Sequence, residues 1–181
     1  MRGGGIGPLQ RRCERLLTEL GLSRQFTLEE LLGAISKSRG RPLQVVYHAF
    51  GAGENVPCGV WASFRDGHDV VVVEERTSRA HQEHICLHEL AHILCGHTGA
   101  KVLAAAYLAK LLPDLAPEKV AEVLARTGYD SVQERDAEAM ATVLGRFLAP
   151  GNDCPGTPVK ALRGAGDNLL GELAKAFHLD T

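Results

Sequence analysis

Hydrophobic residues recur every three to four positions along several segments of this chain, the spacing that places them on one face of an α-helix. Capping residues mark some of the ends: Thr27 with Glu30 three positions later, Gly40 after the last turn, and Ser78. The predicted helices cover residues 9–22, 27–40, 78–95, 101–112, 116–127, 131–150 and 167–179. The second helix lacks the basic outward face of a DNA-reading helix-turn-helix, so the first two are interpreted as packing elements.

A different pattern predicts β-strands between the second and third helices. Residues 42–50, 58–64 and 68–75 are rich in valine and aromatic residues, and Asp66-Gly67 is a hairpin signal between the last two segments. The unbroken valines at 70–73 indicate a strand covered on both faces. Together the elements predict an α+β fold in which a small antiparallel sheet packs beside a helical body.

The chain has 181 residues, which suits one domain with a small appendage. The glycine-rich residues 1–8 are predicted to be disordered, residues 9–150 to form the domain, and residues 151–181 to form a linker and a C-terminal helix. A hydrophobic fraction of 45% and a charged fraction of 23% are sufficient for a sizeable core.

Charge and cysteine content narrow the class of protein. A net charge of −2 gives no electrostatic reason to expect nucleic acid or an anionic membrane as a direct partner. We expect no membrane span, because no apolar run approaches about 20 residues, and no signal peptide is recognisable. The five cysteines include no CxxC pair, which favours reduced thiols in a cytoplasmic protein.

The strongest chemical signal is the H-E-x-x-H sequence of residues 88–92, inside the third predicted helix. Four residues rotate a side chain by about 40° beyond one helical turn, so His88 and His92 project from one face and can bind a single metal ion. Zinc suits two imidazoles and a carboxylate, with a fourth position open for a water whose pKa it lowers to about 7. Glu89, turned about 100° from His88, is predicted to act as general base and then acid. The alternative is a pair of surface histidines.

The third ligand must come from a distant segment, because the residues after the second histidine do not follow the longer H-E-x-x-H-x-x-G-x-x-H pattern. The sequence "ERDAE" offers Glu134 and Glu138 one helical turn apart. We predict that Glu134 binds the metal and that Glu138 orients a ligand imidazole through its N–H. The alternatives are a capping-box role for Glu134 with Ser131 and an exposed position for Glu138.

The stretches "HICLHELAHILCGH" and "QERDAEAMATVLGRFLAP" resemble the ImmA/IrrE metallopeptidases, and the resemblance covers roughly residues 40–150. The matching positions of the second stretch are Glu134, Asp136, Ala137, Glu138, Met140, Ala141 and Pro150. The resemblance implies a zincin-like fold with the H-E-x-x-H motif on a central helix. It also implies a cytoplasmic peptidase, often encoded beside a helix-turn-helix repressor that it cleaves or inactivates. Some relatives are toxin components of toxin–antitoxin pairs.

Three features depart from the family pattern. Glu138 stands where asparagine or aspartate is usual, and Met140 replaces an aromatic residue. Residues 93–133 form a longer spacer than the family would suggest, and they indicate an added helix pair over 101–127 beside the cleft.

Other residues have weaker claims. His81, His84 and His97 are predicted as surface histidines, although His84 lies one turn before His88 and could border the cleft. Tyr129 precedes the ligand helix and could donate a hydrogen bond to a developing oxyanion, the alternative being a packed loop tyrosine.

Gly59 and Trp61 lie on a strand that could form the sheet edge beside the zinc. An exposed edge there could hold an extended peptide through backbone hydrogen bonds, whereas a core position for Trp61 is the alternative.

The leading hypothesis is therefore a zinc-dependent peptidase that hydrolyses a peptide bond in a protein, plausibly a DNA-binding regulator. One alternative is a regulatory or toxin–antitoxin partner protein in which the metal is structural or sensory and no peptide is cut. Another is zinc-dependent hydrolysis of a small molecule, which a closed pocket in place of an open edge-strand cleft would favour.

Overall fold

Four helices and four strands make up the part of the chain that the computed structural model describes, residues 7–50, 57–63, 67–97, 131–150 and 155–158. The helices are α1 (Pro8–Glu19), α2 (Leu28–Arg39), α3 (Arg79–Leu94) and α4 (Ser131–Gly145). The strands are β1 (Leu43–His48), β2 (Gly59–Ser63), β3 (Asp69–Glu74) and β4 (Thr157–Pro158). The predicted α+β class is confirmed.

Local capping explains where α2 and α3 begin and end. The Thr27 hydroxyl accepts a hydrogen bond from the Glu30 N–H at 3.0 Å, and the Glu30 carboxylate accepts one from the Thr27 N–H at 2.7 Å. Gly40 ends α2 in the left-handed conformation, with φ of 62°. The Ser78 side chain caps α3, and Gly96 follows its end. These predicted caps are confirmed.

Two helix ends differ from the prediction. α1 begins at Pro8, the last residue of the segment that was predicted to be disordered. α4 ends at Gly145, and not at Pro150, because the chain beyond it pairs with another segment. The Ala149 N–H donates to the Phe26 carbonyl at 2.9 Å, which draws the backbone out of helical geometry.

The strands form one sheet in the order β2-β3-β1-β4. β2 and β3 pair antiparallel, as the hairpin signal predicted, but β1 pairs parallel to both β3 and β4. The prediction of an antiparallel sheet is therefore wrong, and the sheet is mixed. β4 also lies in the segment that was predicted to be a linker.

Ion pairs to a buried aspartate join the starts of the parallel strands β1 and β3. Asp69, at the start of β3, has a fully buried side chain and contacts Arg39 at 2.9 Å and Arg41 at 3.3 Å. The Asp69 N–H also donates to the carbonyl of Pro42, just before β1, at 2.9 Å. These contacts lie at the first residues of both strands, where the parallel register of β1 and β3 begins.

The core lies between one face of the sheet and the helices. All of the residues 69–73 are buried, so the prediction that β3 is covered on both faces is confirmed. α3 packs against β2 and β3 on one side and against α4 on the other. The largest fully buried side chains of the two contacting helices are Leu87, Leu90, His92, Met140 and Leu144. A histidine, His92, is thus buried in the core among aliphatic side chains.

Several predictions concern residues outside the described ranges: the helices 101–112, 116–127 and 167–179, most of the disordered N-terminus, and Asp66 of the hairpin turn. In the ranges that are described, no helix has both the length and the apolar character required to cross a bilayer.

Candidate metal centre

The H-E-x-x-H residues lie within α3, whose apolar side chains anchor it in the core. The Nε2 atoms of His88 and His92 are 3.1 Å apart. His92 is only 1% exposed, whereas His88 is partly exposed towards the surface. The helical spacing therefore places two imidazole nitrogens next to each other. The His92 ring is buried in the core, and the His88 ring lies at the border of the core.

Glu134 brings a carboxylate to the same point from α4. Its Oε2 lies 3.4 Å from the Nε2 of His88, and the donor atoms of His88, His92 and Glu134 all lie within 4.8 Å of one another. Two ligands at about 2.0–2.1 Å from a tetrahedral metal ion are separated by about 3.3 Å, close to both measured distances. The three side chains can thus hold a metal ion. Glu134 is directed to this cluster and not solely to the start of its own helix.

Glu138, one turn further along α4, contacts the other nitrogen of His88. Its Oε2 is 3.1 Å from His88 Nδ1, and its Oε1 is 2.9 Å from His84 Nε2. Because a carboxylate accepts, the Nδ1 of His88 carries a proton, and in the neutral ring the Nε2 lone pair is directed towards the cluster. The structure thus places Glu138 where the sequence analysis expected it, and the surface residue His84 adjoins it.

The electrostatic surroundings favour the protonated form of His88 when no cation is present. Burial alone lowers the pKa of His88, but the hydrogen bond with Glu134 and the charge of Glu89 raise it more. Glu138 adds to the same effect, and the net pKa lies above the ordinary value for histidine. The carboxylates around this ring therefore favour a positive charge at the position where a metal ion would bind.

His97 is a participant that the sequence analysis missed. Its Nδ1 lies 3.0 Å from the Nδ1 of His92, and its side chain is buried, with the residue 8% exposed. The prediction of a surface histidine is wrong for His97, because Gly96 has a φ of 68° and turns the chain back over the end of α3. The sequence signal that could have revealed this contact is Gly96, which ends the helix immediately before His97. His81, by contrast, is exposed and contacts Thr77.

The backbone of β2 contacts Glu89, the glutamate of the H-E-x-x-H motif. Glu89 is 6% exposed, and its Oε2 accepts a hydrogen bond from the Trp61 N–H at 2.9 Å. Among the described strands β2 lies at one end of the sheet, and it carries both Gly59 and Trp61. The Trp61 ring packs against the core and has the Arg39 guanidinium 5.5 Å from its centroid. The Glu89 carboxylate thus lies between α3 and the end strand of the described sheet.

The structure brings together His88, His92, Glu134 and Glu138. Glu89 is the neighbour of His88 on α3, and its carboxylate contacts the backbone of β2. Tyr129 lies outside the described residues. Comparisons of this chain with protein-family models, with curated proteins and with solved structures returned no match.

Proposed function

We propose that this protein is a zinc-dependent peptidase in which His88, His92 and Glu134 hold the metal and Glu89 transfers protons. The observation that carries the proposal is the convergence of three donor atoms, from two packed helices, within 4.8 Å of one another. Glu89, adjacent to His88 on α3, adds a buried carboxylate at the edge of the same helix. The resemblance to the ImmA/IrrE metallopeptidases, a zincin-like fold and a cytoplasmic location belong to the same proposal.

The donor set supports zinc. Two imidazole nitrogens and one carboxylate oxygen are the protein ligands of many catalytic zinc sites, which keep a fourth position open. A bound zinc ion would supply Lewis acidity, polarising the scissile carbonyl and lowering the pKa of a water molecule. Glu138 would fix the tautomer of His88, and His97 that of His92, so that both Nε2 atoms are presented as lone-pair donors.

Glu89 is suited to proton transfer by its position and its orientation. The Trp61 N–H holds one of its carboxylate oxygens at 2.9 Å, which limits the rotation of the side chain. We infer that Glu89 takes a proton from the attacking water and delivers it to the leaving amine. Removing such a general base typically lowers the rate by 10²–10⁴-fold.

The edge position of β2 supports a peptide as the substrate. An extended chain can add to the edge of a sheet through backbone hydrogen bonds, and β2 lies at one end of the described sheet, directly beside Glu89, which takes one of its edge amides, the Trp61 N–H. The edge position supports a peptide or protein substrate, and the family resemblance supports a helix-turn-helix regulator as that substrate.

Metal binding and hydrolysis need separate tests. Elemental analysis of the purified protein is expected to find one zinc ion per chain in the wild type and in Glu89→Gln, and less in His88→Ala. Incubation with a purified regulator encoded by a neighbouring gene, followed by mass spectrometry, is expected to show a defined cleavage with the wild type.

The same cleavage should fall at least 100-fold with Glu89→Gln, which keeps the size of the side chain and the metal ligands. Equal cleavage by both proteins would refute the role of Glu89. Stoichiometric metal without cleavage of regulators or peptides would favour the non-proteolytic regulatory alternative.

A further inference from the structure

The outer edge of β2 has a defined alternation of backbone groups. The Glu74 N–H donates to the Cys58 carbonyl at 2.8 Å, so Cys58 and Glu74 form a hydrogen-bonded pair of the antiparallel ladder. Because such pairs alternate along a strand, the N–H and C=O groups of Gly59, Trp61 and Ser63 point away from β3. The bond from the Trp61 N–H to Glu89 is therefore made by an edge amide of the sheet.

Gly59 determines how closely this edge approaches α3. A Cβ atom at residue 59 would lie 2.4 Å from Ile85 Cγ2, 2.9 Å from Glu89 Oε1 and 3.2 Å from Glu89 Cγ. Gly59 is not among the described glycines with positive φ, so the constraint is the contact and not the backbone conformation. Any larger residue would have to move β2 away from α3 or displace the side chains of both Ile85 and Glu89.

We propose that Gly59 is a positioning residue for Glu89: its missing side chain lets β2 approach α3 closely enough for the Trp61 N–H to hold the carboxylate. The inference rests on the proposed role of Glu89 as general base. It adds that β2, the strand proposed to pair with the peptide substrate, also aligns the Glu89 carboxylate. A small displacement of such a group can cost about 100-fold in rate without loss of binding.

The test compares Gly59→Ala with Gly33→Ala. Gly33 is exposed on α2, and a Cβ there would meet nothing within 4 Å, so this control adds the same methyl group without the contact. Gly59→Ala is expected to lower kcat about 10- to 100-fold, with KM and the zinc dissociation constant each within about threefold of wild type. Gly33→Ala is expected to change none of these quantities.

A second measurement reads the contact without any turnover. In proton–nitrogen NMR spectra of the zinc-loaded protein, the Trp61 amide proton is expected at low field in the wild type and in Gly33→Ala. It is expected to move upfield in Gly59→Ala and in Glu89→Ala, which removes the acceptor. If Gly59→Ala does not fold, the Glu89→Ala spectrum still decides whether the Trp61 amide is held by Glu89.

Three results would overturn the inference: an unchanged Trp61 amide shift in Glu89→Ala, an unchanged kcat in a folded Gly59→Ala, or a loss of zinc affinity in Gly59→Ala as large as the loss of kcat. A wild-type protein without hydrolytic activity would instead refute the proposed function. The NMR comparison would then still establish whether Gly59 and Trp61 position the carboxylate.

Discussion

The contact between His92 and His97 gives the sharpest test of the metal centre, because the sequence pattern did not assign His97 to it. If His92 binds metal through Nε2, its Nδ1 carries a proton and donates to the Nδ1 of His97 across 3.0 Å. His97→Ala removes the acceptor and leaves a donor that is buried, since His92 is 1% exposed. The tautomer that binds metal then loses its stabilisation.

The size of the effect follows from the hydrogen bond and its burial. Leaving a buried donor without its partner costs about 1–3 kcal/mol, which corresponds to about 5- to 150-fold in an equilibrium constant. Losing the partner of a metal-ligating histidine typically costs 10–100-fold in metal affinity. We therefore expect His97→Ala to weaken zinc binding by about 10- to 100-fold, measured by competition with a chromophoric chelator at pH 7.5.

Two further variants separate this role from packing. His97→Asn places a side-chain oxygen near the position of Nδ1, so it should recover at least half of the lost binding free energy. His81→Ala removes an exposed histidine of the same helix whose ring contacts Thr77, and it should bind zinc like the wild type. Zinc affinity within twofold of wild type in His97→Ala would show that the pairing does not support the metal ligand.

Three other predictions concern stability and reactivity. Asp69→Ala should lower the free energy of unfolding by about 2 kcal/mol in urea titrations, because it removes charge-assisted hydrogen bonds to Arg39 and Arg41. Metal content should not change, and a loss under about 0.5 kcal/mol would show that the two ion pairs do not stabilise the fold. Burial and, next, the Glu14 charge raise the pKa of Cys13 to about 11, whereas the Cys58 pKa is raised by burial although its residue is exposed. Native iodoacetamide labelling at pH 8 should therefore modify Cys58 faster than Cys13, which peptide mass spectrometry would detect. Folding raises the pKa of His88, so protonation of this residue stabilises the metal-free protein. This stabilisation is complete below about pH 6.5, the unfolded-state pKa, and is lost as pH rises through the folded-state pKa. Urea unfolding of the chelated protein between pH 5.5 and pH 8.5 should show this decline, and His88→Gln should abolish it.

Local patterns accounted for most of the secondary structure in the described ranges. The capping box at Thr27 and Glu30 and the cap at Ser78 are formed by residues within four positions of one another, so their geometry is encoded locally. The run of valines in β3 predicted burial on both faces for a similar reason: alternating side chains point to opposite faces, and all of them are apolar. The direction of β1 was not encoded in this way, since it depends on pairing with β3, a segment more than 20 residues away in sequence.

In the candidate metal centre, too, local patterns predicted some contacts and not others. The convergence of His88 and His92 follows from helical periodicity, and the i, i+4 spacing of Glu134 and Glu138 suggested one ligand and one supporting carboxylate. His97 and the Trp61 N–H were beyond this reasoning. Their contacts depend on the turn at Gly96 and on the close approach of β2 to α3, and neither produces a repeat in the sequence.

The amino-acid order alone was sufficient to predict that His88 and His92 share a face of α3, that Glu134 and Glu138 lie one turn apart on α4, and that the fold is α+β, because each depends on residue patterns within single elements. The folded chain was needed to show which side chains support the histidines and which backbone amide holds Glu89. Those contacts join segments far apart in sequence, and their distances arise from the packing of α3 between the sheet and α4.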